Sequence, residues 1–138
     1  MCRAVCIHSF LPDPALAFFF QGDAPSGGYN TLADTDMRAV VYYLPGTTNW
    51  GATYGGRPTA LWNPLAQTRD ANFGVRTGRF GFNITGTTNI PIVVEASTSI
   101  ISPNWVTVQN YSLTNGLIYF SDSQWTSHLT HFYRIRSP

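Results

Sequence analysis

Lysine is missing from this 138-residue chain, glutamate occurs once, at Glu95, and cysteine twice, at Cys2 and Cys6. Each shortage removes a class of structure. Without lysine and glutamate the chain lacks the side chains that usually build the solvent face of an amphipathic helix. Charged residues make up 11% of the chain and the net charge is +1, with all eight basic residues arginine. That balance gives no electrostatic footprint for nucleic acid or an anionic membrane; Arg69, Arg76 and Arg79 form the only basic cluster. Two cysteines in a CxxxC spacing chelate metal only with ligands from elsewhere, His8 being the obvious third. The apolar run at residues 15–20 is too short to cross a bilayer, so no membrane span is expected. A signal peptide is not expected either: Arg3 is the sole basic residue ahead of the run, and Pro12, Asp13 and Pro14 interrupt it.

What remains is aromatic and turn-forming. Aromatics reach 14%, and Thr, Asn, Gly and Pro are abundant, which points to an all-β, loop-rich protein. The last third carries the clearest signal. Arg79-Phe80-Gly81-Phe82-Asn83-Ile84-Thr85 alternates large apolar with small or polar side chains, the period of a strand buried on one face. A turn follows at Gly86-Thr87-Thr88-Asn89. Residues 90–95 are nearly all β-branched or apolar, with Pro91 at the first position, so residues 92–95 are expected to form a central strand. Asn115-Gly116 is the strongest hairpin signal, and is predicted to join a strand at 106–113 to one at 117–121. The expected layout is a poorly ordered terminus at 1–14, strand-and-loop repeat-like segments at 15–66, a connector at 67–78 and a small antiparallel β-sandwich-like domain at 79–138.

Two sets of residues carry candidate chemistry. Trp50, Tyr54, Arg57, Trp62 and Asn63 stand among Gly55-Gly56, Pro58 and Pro64. Flat rings beside amide and guanidinium groups suit a sugar platform, since sugar C–H faces stack on rings while polar groups take the hydroxyls. The same rings equally suit internal packing. Asp122, His128 and His131, with His8 as a distant fourth, have the types of a carboxylate–imidazole metal site, and Ser121-Asp122-Ser123 with a histidine has the types of a hydrolytic triad. Neither HExxH nor Gly-x-Ser-x-Gly is present, so no catalytic residue and no cofactor is assigned. Glu95 is expected to pair with Arg134 or Arg136.

Several motifs also carry a resemblance. Phe18-Phe19-Phe20-Gln21-Gly22-Asp23-Ala24-Pro25-Ser26 resembles the end of a BspA-like leucine-rich repeat, and Arg38-Ala39-Val40-Val41-Tyr42-Tyr43-Leu44-Pro45-Gly46 resembles the next strand; between them Thr31-Leu32-Ala33-Asp34 has the residue types to cap a helical turn. Phe82-Asn83-Ile84-Thr85-Gly86, Val93-Val94-Glu95-Ala96-Ser97-Thr98, Trp105, Tyr119-Phe120-Ser121-Asp122 and Phe132-Tyr133-Arg134 are similar, in order, to a β-sandwich-like module at the C terminus of secreted proteins of Verrucomicrobia and Planctomycetes. The resemblance implies the tail of a surface protein: extracellular display or adhesion, a polysaccharide or surface glycan as partner, and no known catalytic site. It also implies further repeats and a signal peptide ahead of this chain, which would then be a fragment. Open strand edges would allow a homo-oligomer.

Overall fold

The computed structural model describes residues 4–7, 17–27, 32 and 35–138, with residues 4–7 as backbone only. Cys2, His8 and the Thr31, Ala33 and Asp34 positions of the capping signal lie outside the described residues. The chain is all-β and divides into two compact units, Met1–Asn63 and Pro64–Pro138.

The first unit holds β1 (Ala4–Ile7), β2 (Ala17–Phe20), β3 (Val40–Tyr43), β4 (Thr53–Tyr54) and β5 (Arg57–Leu61), in the sheet order β1-β2-β3-β5-β4. Its centre is parallel and in register: Ala17 lies opposite Val40 and Phe20 opposite Tyr43, and Val41 lies opposite Thr59. Side chains from successive strands therefore stack in columns. Phe19 lies on Tyr42 with ring centroids 4.9 Å apart, an offset-stacked geometry that adds to the burial of both rings. The turns stack as well as the strands. The Asp23 carboxylate accepts the Thr48 N–H at 2.7 Å and the Ala24 N–H donates to the Thr48 carbonyl at 3.0 Å, so the Gly22-Asp23-Ala24 turn is laced to the one that follows β3.

Antiparallel strands close both sides of this parallel centre. β1 pairs with β2, so part of the terminus expected to be poorly ordered is a strand; Ala-Val-Cys-Ile is a β-forming run that meets an edge with free ladder groups. On the far side β4 pairs with β5 through Gly55 and Gly56, whose φ values of 60° and 84° meet the requirement of a type I′ turn.

The second unit contains β6 (Leu65–Gln67), β7 (Gly74–Arg76), β8 (Arg79–Thr85), β9 (Pro91–Ser97), β10 (Val106–Ser112), β11 (Leu117–Asp122), a single 3-10 turn (Trp125–Ser127) and β12 (Phe132–Arg136). One sheet runs β10-β9-β12; the other runs β11-β8-β6, with β7 also on β8. β9 is central, as its β-branched run predicts. The two sheets face each other across Phe80, Phe82, Phe120 and Tyr133, with Tyr133 stacked on Phe80 at 5.3 Å.

The structure corrects two sequence expectations here. Residues 67–78 are not a free connector: β6 and β7 lie along one edge of β8, and the excursion between them is pinned by the Asn83 amide donating to Asp70 at 2.8 Å. Nor does Asn115-Gly116 join a hairpin, because β10 pairs with β9 while β11 pairs with β8. Leu113, wholly buried, stays in the ladder with Ile90 and Asn89 through bonds of 3.0 and 2.7 Å. The chain then bends from one sheet to the other, with positive φ at Gly116 (71°) and the Gly86 N–H donating to the Gly116 carbonyl at 2.9 Å. Burying Leu113 and keeping a partner for each strand outweigh the local turn preference. A two-residue turn with both central φ values positive forms instead at Thr77-Gly78 (47° and 75°), between β7 and β8.

Candidate functional site

Four of the five residues expected to make a sugar platform, Trp50, Tyr54, Arg57 and Trp62, are engaged in packing. Trp50 stacks on Tyr43 at 5.3 Å, meets Phe20 and Tyr54 edge-on and donates its indole N–H to the Gly22 carbonyl at 3.3 Å. Tyr54 also meets Phe20, and Trp62 meets Phe19. Arg57 is 7% exposed; it donates to the Thr35 hydroxyl and carbonyl and to the Gly56 carbonyl. These side chains cover the parallel sheet and tie the segment around Thr35 to it. Asn63 lies half-buried beyond β5 and is not part of this ring cluster.

The second set does converge. On β11, Asp122 continues the inward series of Ile118 and Phe120 and is 7% exposed. An acid at an inward position needs partners. It has two: the Tyr133 hydroxyl donates at 2.9 Å, and the Gln124 N–H, just ahead of the 3-10 turn, donates at 2.7 Å. Burial, reinforced by that bond to Asp122, pushes the Tyr133 hydroxyl well above the ordinary phenol range, so it remains a donor. His131 Nδ1 lies 3.4 Å from the Tyr133 hydroxyl and 3.9 Å from the Asp122 carboxyl, and the His128 and His131 rings are 5.4 Å apart. Trp125 donates its indole N–H to the Gly78 carbonyl at 3.0 Å, fastening this loop to the β7–β8 turn.

The metal expectation for Asp122, His128 and His131 is corrected by these contacts: among the described residues no group of three or more His, Cys, Asp or Glu side chains is placed to hold an ion. Both carboxyl oxygens of Asp122 already accept bonds, and His131 faces the tyrosine. The three residues instead line one wall of a cleft of about 570 Å³, within the range of small-ligand sites. The opposite wall is β10 from Val106 to Gln109, with Asn104 beside it. Sequence reasoning missed Gln109, Asn104 and Ser127. The available signal was the inward register of Asp122, which marks the mouth of the sandwich.

No family model, curated protein or solved structure matches this chain.

On the outer face of the β9 sheet, Glu95 is held by both arginines, Arg134 at 2.7 Å and Arg136 at 2.6 Å. Burial pushes its carboxyl up, but the bonds from Arg136 and Arg134 together outweigh this, and it settles below the usual carboxylate range. Arg134 also lies 4.4 Å over the Trp105 ring. The face is an ion-pair cluster, and it holds β12 on β9.

Proposed function

We propose that this chain is a non-catalytic extracellular module in which the first unit closes a stack of parallel repeat strands and the second serves display or adhesion at a cell surface. The observation that carries this is the in-register parallel pairing of β2, β3 and β5, with their turns laced to one another. That arrangement is how a repeat array buries its interior, and an array needs its last strand edge covered. The segment before β5 supplies such a cover: the Thr59 N–H donates to the Ala52 carbonyl at 3.1 Å and the Thr59 hydroxyl to the Gly51 carbonyl. The packing of Trp50 and Tyr54 favours this structural role over a glycan platform built from the same rings.

The test is to loosen the cover and read the edge. In the variant carrying Tyr54→Gly and Thr59→Val, hydrogen exchange of the β5 amides is expected to quicken by about tenfold or more, and light scattering to show self-association that grows with concentration. A variant whose β5 exchanges rapidly yet stays as dispersed as the parent would refute the capping role.

A further inference from the structure

We infer that the cleft between β10 and the loop after β11 is a binding site for a neutral, polyhydroxylated ligand, a short oligosaccharide segment. The inference supplies a ligand class for the adhesive role proposed above and rests on that role only for its biological setting; the site itself stands on its own geometry.

The first argument is charge. Apart from its two histidines, the ionisable groups on the cleft walls are Arg79 and Asp122, one of each sign, so these fixed charges favour neither an anion nor a cation. The second is hydrogen-bonding type. Asn104, Gln109, Ser121, Ser123 and Ser127 all line it, with His128 beside them, and hydroxyl and amide groups each donate and accept. Sugar hydroxyls have the same double character, whereas an apolar ligand would leave these groups unsatisfied. The third is the way the cleft is built. The ladder between β9 and β10 shifts register between Thr107 and Gln109, a bulge that bends the strand and re-aims its side chains. Val108 sits in the bulge, and with Val106 from the regular ladder ahead of it lines the cleft beside the polar groups, giving a small aliphatic surface for sugar C–H faces. On the other side the floor is fixed, because Asp122 is locked by Tyr133 and Gln124 and the loop is fastened through Trp125. A preset wall lowers the ordering cost of binding.

The test uses the whole isotope-labelled chain, titrated to millimolar concentration with cellotriose, maltotriose, mannotriose and a chitin trimer, with a sulfated trisaccharide for comparison. At least one neutral trisaccharide is expected to shift amide signals at residues 104–109 and 121–128. The double variant Gln109→Ala with His128→Ala, both exposed positions, should keep the parent spectrum and weaken binding about tenfold. Three results would each overturn the inference: no shift with any neutral probe, shifts confined to the surroundings of Trp50, Tyr54 and Trp62, or binding by the sulfated probe alone. Any of these would leave the β5 exchange experiment unaffected, so the capping role and the ligand class fail separately.

Discussion

At the scale of single residues, two turns call for opposite responses to mutation. Thr77 is β-branched yet holds φ at 47°, a conformation that such side chains adopt only under strain and that asparagine tolerates. Thr77→Asn is expected to stabilise the second unit by about 0.5–1 kcal/mol, read as a higher urea midpoint with an unchanged slope. Gly116 is the converse: its φ is 71°, and a Cβ there would meet the Gly86 carbonyl oxygen at 2.8 Å. Gly116→Ala should cost about 1–3 kcal/mol in the same measurement. An unchanged or reversed order of the two midpoints would contradict this account of the turns. The sequence favoured Asn115-Gly116 as the hairpin because local turn chemistry is visible in a dipeptide. The burial of Leu113 against Ile90, which decides the matter, depends on residues far apart in the chain.

At the scale of elements, the strands legible in sequence were those with a long period. Residues 79–85 and the β-branched stretch at 92–95 were placed correctly, the second as the centre of its sheet, and Glu95, expected to pair with Arg134 or Arg136, is held by both. β6 and β7 were not legible, since three-residue strands carry no measurable alternation; only the exposed edge of β8 explains them. The β9–β12 pairing also has a pH dependence. Because the Glu95 carboxyl sits below its ordinary range when folded, its contribution is fully present above the unfolded value and is lost as pH falls through the folded one. Stability measured by urea titration should therefore decline as pH falls through and below the ordinary carboxylate range. Glu95→Gln should flatten that part of the profile and cost about 1–3 kcal/mol at neutral pH by depriving two arginines of their anion. A parent-like slope in the variant would assign the acid sensitivity to another carboxyl. The candidate site was half legible at this level: residue types drew attention to Asp122, His128 and His131, but their roles as wall and anchor required Tyr133 and the 3-10 turn.

At the scale of the whole molecule, the division after Asn63 leaves the second unit with its own buried set of Phe82, Ile84, Ile90, Ile92, Val94, Leu113 and Phe120. A fragment of residues 64–138 is expected to fold alone, with dispersed amide signals and a cooperative thermal transition; a fragment without either would show that its core depends on the first unit. The sequence placed this boundary late because Leu65–Gln67 looks like the tail of what precedes it. The bend at Gly86–Ile90 and Leu113–Gly116 has one more consequence, for how this unit is assembled. Phe80 pairs with Asp122, Thr85 with Leu117, Ile92 with Tyr111 and Ala96 with Val106, so four strands in two sheets are one antiparallel ribbon closed by the loop at 98–105 and creased in the middle. Sandwiches usually fold slowly because their sheets are joined by pairings distant in sequence. A zipper started at that single loop would lay down the four long strands of both sheets, leaving the crease and the docking of β6, β7 and β12 as the later steps.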